Sequence, residues 1–112
     1  MLVEVGEIVH VIERRAFEND VRRHLIGKVV AVAPNGMRLE CFVFVFDQYQ
    51  GTFVRKPERR TRILGFDGRF VINVVPRETE IEKVQYVQSE IGLMVTDNKT
   101  FRLSVNEFGA KG

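Results

Sequence analysis

The stretch NGMRLECFVFVFDQY, residues 35–49, decides the fold of this chain. Its central residues, Cys41 to Phe46, are all apolar, and the three phenylalanines among them occupy alternate positions. A strand would place three phenyl rings on one face and smaller apolar groups on the other, because successive side chains point to opposite faces. The pattern predicts a central strand that is covered on both sides.

A row of rings can instead stack RNA bases. In RNA-recognition strands a cation and a glycine precede the first ring, and a small residue separates the rings. Here Glu40 and Cys41 precede the first ring, and Val43 follows it. Burying a phenylalanine is worth about 1.5–3 kcal/mol, so exposing three would remove much of the stability of a small domain. We therefore predict that Phe42, Phe44 and Phe46 belong to the core.

Short apolar runs rich in Val, Ile, Phe and Thr continue on both sides of this stretch, separated by turn signals. They predict a mainly β protein, a small barrel or sandwich, with an added C-terminal β-hairpin. Pro34-Asn35-Gly36, Asp67-Gly68 and Asp97-Asn98-Lys99 each predict a tight link between strands. The predicted strands cover residues 3–13, 25–34, 37–49, 51–56, 60–66, 69–76, 83–88, 91–96 and 100–106.

The segment that covers residues 13–26 departs from the β pattern. Phe17, Val21 and Leu25 recur four positions apart, which is typical of one face of a helix. A short N-terminal helix is therefore predicted, with a twisted β connection as the alternative. The arginines near its exposed side would be Arg15, Arg22 and Arg23.

Length and composition indicate one soluble domain over residues 1–112, with 45% hydrophobic and 29% charged residues. A net charge of +2 is too small to argue for a nucleic-acid partner by itself. Cys41 is the single cysteine and is expected to be a small buried hydrophobe. With neither a secretory signal nor a run of about 20 apolar residues, we expect a cytoplasmic protein without a membrane partner.

The opening stretch is similar to the first motif of the Sm family, in particular its bacterial Hfq branch. Asn35-Gly36 is followed by Arg38-Leu39-Glu40 and, after the apolar run, by Phe46-Asp47-Gln48-Tyr49, without a gap in the spacing. Further on, Ile72-Asn73-Val74-Val75-Pro76 resembles the Ile-polar-x-Val-Val-Pro ending of Hfq, one residue shorter.

This resemblance covers roughly residues 17–77, an Sm-like core, and leaves residues 83–107 as additional strands. It implies a small, strongly bent Sm-like barrel whose edge strands pair between subunits to form a homo-oligomeric ring. It also implies that the ring binds RNA around its pore and faces. Gln48 and Tyr49 occupy positions that in Hfq help to bind a base. The Tyr-Lys-His element that lines the Hfq pore has no counterpart, because FDGR stands nearest to its place.

The run RKPERRTR, residues 55–62, is the strongest functional feature of the sequence. Pro57 interrupts ladder pairing, so the run is expected in an exposed loop or strand edge. Its guanidinium groups suit phosphate recognition, although charged edges also serve to block strand association. The predicted nucleic-acid-binding residues are Arg55, Lys56, Arg59, Arg60 and Arg62, together with Gln48, Tyr49, Arg22 and Arg23.

Catalytic and metal chemistry have little support. His10 lies in an apolar strand and His24 is expected at the surface, and neither has cysteine or carboxylate partners at metal-ligand spacing. Asp47, at the end of a strand, is expected to accept N–H groups of a turn. Because no phosphate-binding loop or nucleophile elbow is present, we predict no enzyme activity, no metal and no cofactor.

These observations favour a non-enzymatic small β-barrel that binds nucleic acid, in particular RNA or another polyanion, as an oligomer. The alternative is a structural or protein-interaction module without affinity for nucleic acid.

Overall fold

The computed structural model describes residues 2–17 and 19–105 and is built from short antiparallel strands. Its elements confirm the prediction of a mainly β protein, and each predicted strand overlaps an observed one. The first strand is shorter than predicted, and residue 106 of the last prediction lies outside the described residues. The elements are β1 (Ile8–Glu13), β2 (Arg23–Ala33), β3 (Gly36–Asp47), β4 (Thr52–Arg55), β5 (Arg60–Gly65), β6 (Phe70–Val75), a 3₁₀ turn (Ile81–Lys83), β7 (Gln85–Ser89), β8 (Gly92–Thr96) and β9 (Arg102–Ser104).

The strands form two sheets. The first has the order β4-β3-β2-β1-β6, with β5 added beside the N-terminal half of β3, and the second has the order β7-β8-β9. The predicted closure into a barrel is wrong, because β5 pairs with β3 while β6 pairs with β1. Asp67-Gly68 therefore links two strands that belong to different ladders and does not form a hairpin. The added C-terminal strands form a three-stranded sheet.

The predicted tight link between β2 and β3 is confirmed, and the turn closes without a residue in the left-handed region. Ala33 pairs with Gly36, so Pro34 and Asn35 form the two-residue link. Asn98 is the non-glycine residue with a positive φ in the described part of the chain, so Asn35 does not use the left-handed region. Gly36 matters for packing instead, because a Cβ there would lie 2.6 Å from the carbonyl oxygen of Leu64 on β5.

The predicted short helix is wrong. The described residues between Glu13 and Arg23 form an irregular connection, and these two residues pair with each other at the ends of β1 and β2. Phe17 and Val21 are 71% and 51% exposed, so the apolar spacing has no surface to pack against. Short helices depend on such packing for stability. Asp20 instead ties the loop, as its carboxylate accepts the N–H groups at positions 16 and 17.

Two hydrophobic cores lie on opposite faces of β3. The aromatic core contains Phe42 and Phe44, with Phe46 packed at its margin, and lies between the two sheets. The aliphatic core contains Cys41 and Val43, together with side chains from β1, β2 and β5. The prediction of a core position is confirmed for Phe42 and Phe44, whereas Phe46 is partly buried. The prediction for Cys41 is also confirmed, because its side chain is fully buried.

Within residues 2–17 and 19–105, no helical segment is long and apolar enough to cross a bilayer.

Candidate nucleic-acid interface

A groove of about 540 Å³ lies between the β1–β2 connection and the turn that links β3 to β4. Phe46 and Val54 contribute apolar surface to it. Four of the predicted binding residues meet there, although they come from three separate parts of the sequence. The groove is lined by Arg15, Arg22, Gln48, Tyr49 and Lys56, with the carboxylates of Asp20 and Asp47 nearby.

The turn between β3 and β4 carries Tyr49, the aromatic residue at this end of the groove. Oδ1 of Asp47 accepts the N–H of Tyr49 at 2.8 Å and that of Gln50 at 3.2 Å, as predicted for this carboxylate. Gly51 has a φ of +68°, which a glycine adopts without strain. The closed turn leaves the Tyr49 side chain fully exposed. Its phenol face is therefore available to a planar ligand.

Arg22 is held at the groove by two aromatic rings. The carbon at the centre of its guanidinium lies 4.7 Å from the ring centroid of Phe46 and 5.3 Å from that of Phe53. Burial lowers the pKa of Arg22, and the charge of Arg15 acts in the same direction. An arginine nevertheless stays protonated in proteins. The stacking fixes a positive charge beside the exposed tyrosine.

The carboxylates in the groove serve the backbone of their own loops. Asp47 accepts turn N–H groups, and Oδ2 of Asp20 accepts the N–H groups of Ala16 and Phe17 at 3.1 and 3.0 Å. Oδ2 of Asp47 also accepts an N–H of the Gln50 side chain at 3.3 Å, so both carboxylates are already engaged within their own loops. The lining of the groove brings three cations together with these two carboxylates.

Two arginines of the basic run have a different environment. Nη1 of Arg55 donates to the carbonyl oxygen of Glu82 at 2.8 Å, and Nη2 of Arg59 lies 2.6 Å from the carboxylate of the same residue. Their guanidinium carbons also lie 4.6 and 5.4 Å from the ring centroid of Phe42. These contacts fasten the β4–β5 region to the 3₁₀ turn. They place Arg55 and Arg59 outside the groove.

The remaining predicted cations also lie away from the groove. Arg60 and Arg62 are half-buried on β5, opposite Cys41 and Leu39 of β3. Burial raises the pKa of the Cys41 thiol, and the charges of Arg62 and Arg60 oppose that rise. Arg23 is paired with Glu13, with Nη1 and Oε2 separated by 2.7 Å. Of the basic run, Lys56 is therefore the residue that lines the groove.

A buried polar trio was missed by the sequence reasoning. The Tyr86 hydroxyl lies 2.9 Å from Nε2 of His10 and 2.7 Å from Nδ1 of His24. Phe53 stacks on the His24 ring at a centroid distance of 4.0 Å. The prediction that His24 lies at the surface is wrong, because the alternation along β2 turns it inward with Ile26. The trio joins the first sheet to the second.

The trio is electrically neutral near pH 7. Burial lowers the pKa of His10 to about 4. Burial, followed by the charges of His10 and Arg22, lowers the pKa of His24 to about 2. Burial also raises the pKa of Tyr86 well above its usual value. A phenol has one proton, so it donates to one imidazole and accepts from the N–H of the other.

Metal ligands do not gather in the described part of the chain, where no group of three or more His, Cys, Asp or Glu side chains could hold an ion. Comparison with protein-family models, curated proteins and solved structures finds no match for this chain. A function can therefore be inferred only from the residues and their geometry.

Proposed function

We propose that this chain is a non-enzymatic protein that binds single-stranded nucleic acid, in particular RNA, and acts as an oligomer. The groove between the β1–β2 connection and the β3–β4 turn is the proposed site. The observation that carries the proposal is the meeting of Arg22, Lys56, Gln48 and Tyr49 in one concave surface. Arg15 adds a third cation there.

The residue chemistry of the groove suits a flexible strand. Stacking of a base on an aromatic side chain is worth about 1–3 kcal/mol and tolerates any sequence. The exposed ring of Tyr49 offers such a face. Arg22 and Lys56 supply charges for phosphates, and the Gln48 amide carries both donors and an acceptor for a base edge.

A single strand fits this groove better than a duplex does. The bases of a duplex are already stacked on one another, whereas unpaired bases can turn outward onto a protein ring. The ring of Tyr49 stands at the tip of a turn, beside the cations and not along a flat basic face. The resemblance to the Sm family, in which Gln48 and Tyr49 match base-binding positions, supports RNA as the ligand.

Unpaired strand edges support the oligomer. In the described residues β5 has a ladder with β3 and β6 has a ladder with β1, so each presents one open edge. Ile63 on β5 and Val74 on β6 are 74% and 52% exposed. Open edges with apolar side chains favour pairing with another chain. Light scattering on the purified protein tests this part, and a strict monomer would contradict it.

The binding test removes two charges from the groove. The variant Arg22→Gln/Lys56→Gln should bind a short oligouridine more weakly than the natural chain, by fluorescence anisotropy. Each lost phosphate contact should reduce the slope of log K against log salt by about 0.7. The matched control, Arg55→Gln/Arg59→Gln, removes the same charge outside the groove and should change the slope little. Equal slopes for both double variants, or no change in either, would contradict the proposed site.

Substitutions at Tyr49 give a second test of the groove by the same fluorescence-anisotropy measurement. Tyr49→Ala should weaken binding by about 5- to 150-fold, the equivalent of the 1–3 kcal/mol of a stacked base. Tyr49→Phe keeps the ring and should keep the affinity. If the alanine variant binds as well as the natural chain, the ring does not stack a base.

A protein-interaction module is the second candidate. Val21 and Val54 line the same groove and have exposed apolar side chains, a surface that also suits another protein. The absorbance ratio of the purified protein, before and after a high-salt wash, separates the two functions. Nucleic acid that co-purifies and is released by salt favours the first. Clean protein that does not bind oligouridine favours the second.

A further inference from the structure

The second sheet has no strand ladder with the first in the described part of the chain. β7, β8 and β9 pair with one another, and residues 76–84 connect them to β6. The aromatic core lies between the two sheets, whereas the buried members of the aliphatic core all come from the first sheet. The first sheet would therefore keep one of its two cores if the second sheet moved away.

The trio is a polar contact across this boundary, and its hydrogen bonds fix the proton positions. His10 and His24 belong to β1 and β2, and Tyr86 belongs to β7. Among the described residues, Nδ1 of His10 is buried and has no hydrogen-bond partner. An unpaired N–H is the rarer case in protein interiors, so the neutral ring carries its proton on Nε2. Nε2 of His10 then donates to the phenol oxygen, and the phenol O–H donates to Nδ1 of His24.

A second proton on either imidazole breaks this arrangement. On His10 the proton would occupy Nδ1 and create a buried donor without an acceptor. On His24 it would occupy Nδ1, and the phenol proton of Tyr86 would lose its acceptor. The centroids of the two imidazole rings lie 5.2 Å apart, so two positive charges there would also repel each other. Closed sheets and charged histidines therefore disfavour each other.

The surrounding charges do not favour a proton on the trio. Burial lowers the pKa of both imidazoles, and the charges of His10 and Arg22 lower that of His24 further. Charged groups also line the cleft beside Tyr86, namely Arg55 of β4, Glu82 and Lys83 of the 3₁₀ turn, and Asp97 after β8. Both carboxylates are already bonded, Glu82 to an arginine and Asp97 to N–H groups of its own turn.

We propose that the second sheet opens away from the first in mildly acidic solution, with the trio as the proton-sensitive contact and the first sheet intact. Opening brings both imidazoles into water, where they can take up protons. The open form therefore gains protons as the pH falls below about 6.5, and the closed form does not. Openings of one part of a protein, without global unfolding, are common. The proposal does not depend on nucleic-acid binding in the groove.

Amide hydrogen exchange, corrected for the intrinsic rates, measures this opening strand by strand. Each imidazole that gains a proton on opening raises the opening equilibrium constant by up to tenfold per pH unit below about pH 6.5. Two imidazoles should together lower the protection of β7–β9 at least 100-fold between about pH 7 and pH 5. At about pH 5 these strands should be at least tenfold less protected than the β2–β3 ladder. Equal protection of both regions would overturn the proposal, because the chain would then open only by global unfolding.

Two variants connect the opening to the trio. His10→Gln/His24→Asn removes both titrating groups, so the protection of β7–β9 should change less than tenfold over the same pH range. Glu80→Gln removes a titratable group from an exposed ion pair with Lys83 and should keep the full change. The proposal is overturned if the double histidine variant keeps it as well.

If circular dichroism shows that the double variant does not fold, an NMR titration of the natural chain provides the same decision. The ring C–H signals of His10 and His24 should stay those of neutral imidazoles while β7–β9 remain protected, and should shift only with the loss of that protection. Imidazoles that take up protons near pH 6.5 under protected β7–β9 strands would overturn the proposal, because the closed form would then accept the charge.

Discussion

The two faces of β3 carry cores of different chemistry. On one face Phe44 packs in the aromatic core with His10, His24 and Tyr86, between two separate sheets. On the other, Val43 packs in the aliphatic core, within a single curved sheet. Adjacent residues of one strand therefore lie in environments that differ in polarity. The buried His–Tyr contacts lie on the face where the second sheet docks, whereas the face within a single sheet is packed with aliphatic side chains.

The largest expected effect comes from Phe44→Ala. Truncating this ring should lower the free energy of unfolding by about 3–5 kcal/mol, because it removes buried area and leaves a cavity between the sheets. Val43→Ala, on the other face, should cost less because a smaller group is removed. Chemical denaturation measures both. A near-neutral result for Phe44→Ala would contradict the core role of the aromatic face.

The second effect is a pH dependence confined to the aromatic face. His10, whose pKa is lowered to about 4, binds its proton more weakly in the folded than in the unfolded chain. Stability should therefore fall as the pH drops below the unfolded pKa of about 6.5, with a loss from His10 of about 3 kcal/mol by pH 4. His24 acts in the same direction. Denaturant unfolding between about pH 7 and pH 4 measures the loss.

Two variants sharpen this test. His10→Gln/His24→Asn replaces both imidazoles by amides that reach toward the Tyr86 hydroxyl and do not titrate, so its stability should depend less on pH. Val43→Ala should shift the whole profile downward without changing its shape. If the double variant keeps the original slope, other groups cause the pH dependence.

The third effect is the contribution of the Tyr86 hydroxyl to stability. Tyr86→Phe keeps the ring against Phe44 and Phe53 but removes the oxygen that His10 and His24 share. The imidazole nitrogens that lose this partner should lower the free energy of unfolding by about 1–3 kcal/mol. Thermal unfolding near pH 7 checks this value. An unchanged stability would indicate that the trio aligns the sheets without stabilising them.

The smallest effect concerns the rim of the aromatic core. Arg59→Gln removes an ion pair with Glu82 whose side chains are 48% and 56% exposed. Such exposed pairs contribute less than about 1 kcal/mol and are screened by salt. Denaturation in low and high salt measures the change. A loss larger than that of Tyr86→Phe would mean that Arg59 holds the second sheet in place.

Much of the fold was predictable because short apolar runs, rich in β-branched and aromatic residues, are separated by Gly, Asn, Asp and Pro. Each strand of the structure overlaps one of these runs. The false helix arose because Phe17, Val21 and Leu25 recur every four residues, a spacing that carries no information about whether a packing surface exists. The other error concerned which strands pair with each other. The turn at Asp67-Gly68 indicates a change of direction but not which strand each neighbour joins.

The candidate site was predictable in residue type and less so in place. Gln48 and Tyr49 were identified through the resemblance to the Sm family and Lys56 through the basic run, and all three line the groove. The density of charge in the basic run did not reveal that Arg55 and Arg59 contact Glu82, because that partner lies in a different element of the chain. The contact between Tyr86 and His24 likewise depends on how the second sheet docks, which no local pattern encodes.

The ladder arrangement also sets an expected order of events during folding. β2 and β3 are joined by a two-residue link, so their hairpin can form with little loss of chain entropy. Once formed, it offers β3 as a template for β4 and β5. The ladder between β1 and β6, in which His10 pairs with Asn73, joins distant parts of the chain and is expected to form last. A refolding experiment should therefore detect β6 as the latest protected strand.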